Sequence, residues 1–212
     1  GYIAATEAYG QQHGMHAADL WHNQSDVPIY HFIGKDIIYF HGLFWPAVLT
    51  TANLATPTAL FAHGFLTIQG QKMSKSRGTF ITAREYLKHF EAEHLRYYLA
   101  SKLNDSVEDL DLNWEDFIHK INVDLVGKII NIASRTTKFI TRHFDHKLTA
   151  TPNHEDLLQT FKDTSPIIAK HYQQRTFSQA CRQICMLADL VNQVIAETEP
   201  WRAIKEDGQA QH

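Results

Sequence analysis

Cysteine is nearly absent from this chain, whose 212 residues include only Cys181 and Cys185. The two lie one helical step apart, a spacing at which a disulfide is geometrically poor. Two cysteines without a cluster of histidines are also a weak basis for a zinc site. We therefore predict two buried, reduced thiols in a reducing compartment and no disulfide framework.

Long apolar runs and a strong net charge are absent as well. No stretch approaches the roughly 20 apolar residues that span a bilayer, and the first residues do not form a secretory signal. The net charge of -3 argues against a protein that coats nucleic acid, although it allows a local basic patch. Internal repeats and low-complexity segments are also lacking. We expect a globular, cytoplasmic protein that does not contact a membrane.

The first 80 residues alternate between strand-like and helix-like patterns. Residues 29–33 and 60–68 are predicted strands, because they are rich in β-branched and aromatic residues. Between them, a turn at residues 34–36 precedes a helix that starts near Ile37. A proline inside this helix predicts a kink or break near Trp45. Strand, helix and strand in this order predict a right-handed crossover in a parallel sheet, which binds ligands at the carboxyl ends of its strands.

The rest of the chain is predicted to be almost entirely helical. A helix is expected at residues 91–100, and Asn113 is the predicted N-cap of a long helix that runs to Ile140. A second helix is expected after Asn153, and a third from the capping box at residues 176–179. Antiparallel helices with short connections form a bundle.

These patterns divide the chain into three parts. Residues 1–80 form an α/β part, residues 81–113 a connecting region and residues 114–212 an α-helical domain. The expected fold class is therefore a parallel α/β sheet domain followed by a helical bundle.

A basic run follows the second predicted strand and contains Lys72, Ser74 and Lys75 between Gly70 and Gly78. Two ammonium groups and a hydroxyl on a glycine-bounded loop are suited to gripping a polyphosphate. The lysines would stabilise the negative charge that builds on a departing pyrophosphate. A plain surface charge run is the alternative.

Several residues near the first predicted strand are candidates for a small-molecule site. Asp36 could accept hydrogen bonds from a ribose diol, with Gly34 letting a nucleotide approach the backbone, although Asp36 also fits a plain helix N-cap. His41 could line a pocket together with Ile37 and Phe40, or it could be a core histidine. Tyr2 could supply an aromatic wall.

The helical part contains three candidates for RNA contact. Asn131 and Arg135 lie four residues apart and therefore on one face of the predicted long helix. Both side chains can hydrogen-bond base edges, and arginine can also stack on a base. Trp201 could stack on an unpaired base or belong to a core. A solvated helix face is the alternative for the first two.

Four blocks of sequence together resemble the bacterial methionyl-tRNA synthetases, a family of class I aminoacyl-tRNA synthetases. They are HFIGKDIIYFH at 31–41, KMSKSRGTF at 72–80, NIASR at 131–135 and EPW at 199–201, and they occur in the order expected of that family. The resemblance covers essentially the whole chain. It implies the second half of a Rossmann-like catalytic domain followed by a helical anticodon-binding domain.

The resemblance also implies residue roles. The implied methionine-binding residues are Tyr2, Ile37, Phe40 and His41. The implied ATP-binding residues are Gly34, Asp36, Leu66, Lys72, Ser74 and Lys75, of which Lys72 and Lys75 are catalytic. The implied anticodon-binding residues are Asn131, Arg135 and Trp201.

The implied reaction joins L-methionine and ATP, used with Mg²⁺, into methionyl-adenylate and then transfers the methionyl group to tRNA(Met). The first half of the nucleotide site and the family's zinc-binding insertion are not found here, so we expect no metal site in this chain. We further expect a fragment that ends inside the helical domain and does not activate methionine alone. The alternative is a non-catalytic tRNA-binding module, and the patterns give no oligomeric state.

Overall fold

The computed structural model describes residues 1–74, 80–148 and 154–202. It contains two compact units. The first consists of Gly1–Phe65 and Ser106–Asp109, and the second of Leu66–Asp105 and the chain from Leu110 onward. The predicted divisions at 80/81 and 113/114 stay predictions.

The first unit contains a pair of parallel strands, β1 (Tyr30–Gly34) and β2 (Ala59–His63). Their register runs from Tyr30 opposite Ala59 to Gly34 opposite His63. The predicted parallel crossover is therefore confirmed. Only one face of β1 is covered, since His31 and Ile33 are buried whereas Phe32 is 66% exposed.

The crossover is helical from residue 35 to residue 51 but changes its helix type along its length. A 3-10 turn at Lys35–Ile37 leads to a π-helical turn at Phe40–Phe44 and then to helix α3 (Trp45–Thr51). Pro46 lies in the first turn of α3, where its missing N–H and fixed φ are tolerated. The predicted break near Trp45 is thus a switch from π to α helix.

The prediction of one strand over residues 60–68 is wrong. Strand β2 ends at His63, and the separate strand β3 (Leu66–Ile68) belongs to a different sheet. A Cβ atom at Gly64 would fall on the carbonyl group of Glu108 and only 2.6 Å from the amide nitrogen of Asp109. This close backbone approach, which glycine permits, separates the two strands.

The second unit contains a three-stranded sheet with β3 in the middle. Strand β3 pairs antiparallel with β4 (Gln71–Lys72) and parallel with β5 (Leu110–Leu112). Beside this sheet lies a buried cluster that includes two tyrosines and a phenylalanine. Its members are Ile68, Tyr86, Tyr98, Leu112, Phe117 and Ile121.

One long helical segment of the second unit runs from residue 114 to residue 143. It comprises α6 (Trp114–Lys120), a π-helical stretch (Ile121–Ile130) and α7 (Asn131–His143). The side chain of Asn113 accepts a hydrogen bond from the amide of Asp116 at 3.0 Å. The predicted N-cap and long helix are therefore confirmed.

Two further long helices follow, α8 (Glu155–Gln173) and α9 (Phe177–Thr198). Asn153 lies outside the described residues, and His154 is at the N-cap position of α8. The predicted capping box of α9 does not form, because the hydroxyl of Thr176 contacts the ring and carbonyl of His171 instead. Both cysteines are reduced and buried on α9, as predicted.

The remaining helices are short or terminal. They are α1 (Tyr2–His13), α2 (Ala17–Trp21), α4 (Ala83–Tyr86) and α5 (Ala92–Lys102). Within the described ranges, no helix combines the length and the apolar character that a membrane span requires.

Candidate functional site

An aromatic cluster occupies the first unit where β1, α1 and the crossover helix meet. The Tyr2 ring lies 4.7 Å from the ring of His31, 5.7 Å from that of His41 and 5.9 Å from that of Trp45. The indole of Trp21 contacts Trp45 edge-on at 6.0 Å. The structure thus joins the predicted residues Tyr2 and His41 with three aromatic side chains that sequence reasoning did not select.

Hydrogen bonds order the polar atoms of this aromatic cluster. Nδ1 of His41 lies 3.0 Å from the carbonyl oxygen of Ile37, which can only accept, so Nδ1 donates. In the neutral ring, Nε2 of His41 then accepts from the hydroxyl of Tyr2 at 2.7 Å. The indole N–H of Trp45 donates to Nε2 of His31 at 3.1 Å. The cluster is therefore a wall of aromatic faces whose histidines are oriented by their partners.

The buried imidazole of His31 has surroundings that favour its neutral form. Burial, and secondly the electrostatic effect of the neighbouring His41, lower the pKa of His31 below its usual range. Because Nε2 accepts from the indole of Trp45, protonation at that atom would also break a hydrogen bond.

We expect acid to destabilise the first unit through His31. Below about pH 6.5 the unfolded chain binds a proton at this histidine before the folded chain does, so the free energy of unfolding falls as pH falls from 6.5 to the lowered folded pKa. His31→Gln, which keeps an acceptor for Trp45, should reduce this dependence. Urea unfolding at several pH values between 7.5 and 5 measures it. The exposed His119→Gln is the control, and an equal effect of both variants would contradict the assignment.

Two other predicted methionine-site residues differ in their placement. Ile37 is partly buried and supplies the carbonyl that orients His41. Phe40 is 63% exposed, and its ring packs against Phe44 at 5.8 Å rather than against Tyr2 or His41. The structure therefore brings Tyr2, Ile37 and His41 together but not Phe40.

The predicted ribose-binding turn follows β1 directly. Gly34 is the residue before the 3-10 turn, and Asp36 is exposed. The carboxylate of Asp36 lies over Gly34, since a Cβ atom there would be 2.8 Å from Oδ1. Side-chain capping by Asp36 is not seen in this turn.

The basic run follows a hairpin of the second unit. Gln69 and Gly70, the two central residues of its turn, have φ of 52° and 72°, the pattern of a type I′ turn. Oδ1 of Asp111 accepts from the hydroxyl of Thr67 at 2.7 Å and from the amide of Gly70 at 2.8 Å. Asp111 on β5 therefore anchors the hairpin from which the run leaves.

Two of the three predicted phosphate-binding residues are described, at the end of this hairpin. Lys72 is exposed and ends β4, and Ser74 is partly buried, whereas Lys75 lies outside the described residues. Strand β4 pairs only with Thr67 and Ile68, so the backbone of Leu66 lies beyond this pairing.

The structure also brings together the three predicted RNA-contact residues. The guanidinium of Arg135 lies 5.1 Å from the centre of the Trp201 ring, although 66 positions separate them in the chain. Asn131, one turn before Arg135, donates a long hydrogen bond of 3.4 Å to the side chain of Asn192. Trp201 is 38% exposed, so the indole and guanidinium lie on the surface of the second unit.

Sequence reasoning missed a buried polar network among the helices of the second unit. Asp124 accepts from the hydroxyl of Tyr97 at 2.8 Å and pairs with Lys120 at 2.9 Å. Burial alone would raise the pKa of Asp124, but the hydrogen bonds from Lys120 and Tyr97 lower it. Burial first, and then contacts with Cys185 and Asp124, raise the pKa of Tyr97.

This network lines a cavity of about 290 Å³ between α5, the long helical segment and α9. Lys128 pairs there with Asp189 at 2.6 Å. In the described part of the chain, no group of three or more His, Cys, Asp or Glu side chains is arranged to hold a metal ion.

Known proteins match the chain throughout. The model of a family described as "tRNA synthetases class I (M)" matches residues 1–137. A methionine–tRNA ligase of Dichelobacter nodosus (strain VCS1703A) is 52% identical over 212 residues, which are 99% of this chain and 31% of that protein.

Solved structures agree with this match. A crystal structure of Mycobacterium tuberculosis methionyl-tRNA synthetase bound by methionyl-adenylate has a TM-score of 0.72 and 27% identity, and covers 82% of this chain and 34% of that one. Another structure of the same synthetase in complex with methionyl-adenylate has a TM-score of 0.72 and 28% identity, and covers 81% and 34%. The chain thus spans about a third of the length of the relatives it matches.

Proposed function

The chain belongs to the class I tRNA synthetases of the (M) family, and we propose that it is part of a methionine–tRNA ligase. The complete enzyme would activate L-methionine with ATP and transfer the methionyl group to tRNA(Met). The observation that carries the proposal is the aromatic cluster of Tyr2, His31, His41 and Trp45 in the first unit. It suits a thioether, because sulfur makes favourable contacts with aromatic rings.

The cluster would select methionine by shape and by the lack of free charge. Tyr2 and His41 satisfy each other at 2.7 Å, so they offer aromatic surface to the substrate without exposing an unpaired polar group. Ile37 would complete the apolar wall. Phe40, whose ring packs on Phe44, would have to move before it contacts methionine.

The family resemblance implies six ATP-binding residues, and we give them separate roles. Asp36 would accept hydrogen bonds from the ribose and Gly34 would allow the nucleotide to approach the backbone. The Leu66 backbone would lie against adenine, and Lys72, Ser74 and Lys75 would bind the phosphates, with Mg²⁺ accompanying those phosphates.

The chemical step needs no protein nucleophile. The methionine carboxylate attacks the α-phosphorus of ATP, the bond to the β-phosphate oxygen breaks, and pyrophosphate leaves. Methionyl-adenylate then acylates the terminal ribose of tRNA and releases AMP. The side chains contribute positioning and stabilisation of the charge on the departing pyrophosphate.

The experiment that tests this proposal uses a chimera in which these 212 residues replace the matching segment of the D. nodosus ligase. We expect methionine-dependent ATP–pyrophosphate exchange and charging of tRNA(Met). Exchange driven by another amino acid would point to a different class I enzyme. Loss of pyrophosphate exchange, and with it of charging, in the chimera would favour the alternative, a non-catalytic tRNA-binding module.

Anticodon recognition is proposed for Asn131, Arg135 and Trp201. Trp201→Ala in the chimera should lower kcat/KM for tRNA charging by about 5- to 150-fold, because stacking of a base on an aromatic ring is worth about 1–3 kcal/mol. Pyrophosphate exchange should stay unchanged, because this contact is made with tRNA alone. Tyr172→Ala, which removes another exposed aromatic ring of the second unit, is the control. Equal losses in both assays would instead assign Trp201 a folding role.

A further inference from the structure

We infer that Asp109 and Lys35 are positioning residues that fix the candidate ribose-binding turn from a distant part of the chain. Lys35 lies between Gly34 and Asp36, and its ammonium group pairs with Oδ1 of Asp109 at 2.7 Å. The inference rests on the proposed function, because it concerns how that turn binds ATP. Neither residue is among those that the sequence patterns singled out.

The pair is part of a larger junction. The same Oδ1 of Asp109 accepts a hydrogen bond from the amide of Phe65 at 2.7 Å. The ammonium group of Lys35 also lies over the Phe65 ring, 5.1 Å from its centre. One carboxylate oxygen thus ties the turn after β1 to the residue that follows β2 and Gly64.

The backbone holds the segment Ser106–Asp109 in place independently of the ion pair. Gly64 is buried, and a Cβ atom on it would overlap the carbonyl group of Glu108. Close backbone packing therefore fixes where Asp109 stands before its carboxylate reaches Lys35. We call Ser106–Asp109 the strap, because it lies across the start of the crossover.

The ion pair is partly exposed, with 33% and 43% of its side chains accessible. Such a pair contributes little to global stability. Its geometry, however, restricts Lys35, and Lys35 is flanked on both sides by the proposed ribose-binding residues. The expected consequence of losing it is weaker ATP binding rather than unfolding.

Steady-state pyrophosphate exchange in the chimera tests this consequence. Asp109→Asn and Lys35→Met should each raise KM for ATP by about tenfold, since small displacements of binding groups are costly, while kcat stays within about twofold. KM for methionine should not change. Lys35→Arg should restore most of the ATP affinity, because it keeps the charge and can lie over Phe65.

Two further variants separate positioning from direct contact. The double variant Lys35→Met with Asp109→Asn should be no worse than either single variant, since both remove the same link. Gly64→Ala, which displaces the strap, should raise KM for ATP as well. A rise with Lys35→Met but not with Asp109→Asn would overturn the inference, because Lys35 would then act on ATP directly. Lys88→Met, which breaks another 2.7 Å ion pair, with Glu85, is the control.

A measurement on the 212-residue chain is independent of catalysis. Asp109→Asn should accelerate amide hydrogen exchange at residues 34–37, whereas Lys88→Met should leave those amides unchanged. Unaltered exchange in Asp109→Asn would refute the positioning role. An inactive wild-type chimera would instead refute the proposed function, so the two failures are distinguishable.

Discussion

Tyr98→Ala is expected to lower the free energy of unfolding of the second unit by about 3–5 kcal/mol, the range for large-to-small replacements of buried aromatic residues. Tyr98 is fully buried, and its ring meets Phe117 edge-on at 5.4 Å. Removing it would leave a cavity at the centre of the cluster where β3, β5 and the long helical segment meet.

The hydroxyl of Tyr98 adds a polar link to this packing. It donates to Asp116 at 2.8 Å and lies 3.2 Å from the carbonyl oxygen of Asp111. Lys102 pairs with Asp116 at 2.6 Å, and its hydrogen bond, followed by that of Tyr98, lowers the pKa of Asp116. The phenol therefore connects α5, β5 and the start of α6.

Urea unfolding of the chain, followed by fluorescence and circular dichroism, measures the loss. Tyr98→Phe keeps the ring and removes only the hydroxyl, so it should cost about 1.5–3 kcal/mol, the range for a hydrogen bond to a charged group such as the Asp116 carboxylate. Tyr9→Ala, at a residue that is 54% exposed in the first unit, is the surface control. A loss below about 1 kcal/mol in Tyr98→Ala, against the 3–5 kcal/mol expected for this core position, would contradict the central role of its ring.

Local signals predicted much of the helical part. The N-cap at Asn113 and the long helix after it follow from a short-range rule, in which a side-chain oxygen accepts from an amide three residues later. The family resemblance was confirmed because it depends on short blocks of sequence that survive in order. Such rules need no knowledge of tertiary contacts.

Tertiary contacts explain the failures. The strand expected at 60–68 is divided because Gly64 meets the backbone of Glu108, a residue 44 positions away. The Thr176 hydroxyl, which fits a capping box, is engaged by His171. In both places, a contact with a residue outside the local sequence pattern overrides the structure that the pattern predicts.

The buried carboxylate of Asp124 shows another limit of pattern reading. It lies seven residues after Phe117 and three after Ile121, on the buried side of the long helical segment. An aspartate does not contribute to the apolar periodicity that predicts buried positions. Its burial is possible because Lys120 and Tyr97 satisfy it. Tyr97 comes from a different helix, so only the fold reveals the network.

The candidate sites divide in the same way. Tyr2 and His41 could be selected from the sequence, but His31, Trp45 and Trp21 complete the aromatic cluster only through the fold. Arg135 and Trp201 were selected separately, and their contact is a product of helix packing. The residue types indicate which side chains could form a site, and the fold determines which of them lie close together.

Lys75→Ala in the chimera is expected to slow methionyl-adenylate formation by about 10²-fold or more, the cost of removing a charge that acts mainly on the transition state. The described residues support this through the hairpin that leads to the run. Its turn is anchored by Asp111, which holds both Thr67 and Gly70. The run that contains Lys75 therefore follows a hairpin whose turn is held by side-chain hydrogen bonds.

The measurement is single-turnover adenylate formation at saturating ATP and methionine, which isolates the chemical step from binding. Lys75→Ala should lower this rate while KM for methionine changes little, because the residues proposed to bind methionine do not include Lys75. Lys88→Ala, an exposed lysine of the same unit, should leave the rate unaltered. If Lys75→Ala instead raises KM for ATP and leaves the rate intact, then the lysine binds ATP equally in the ground and transition states, and its proposed catalytic role is wrong.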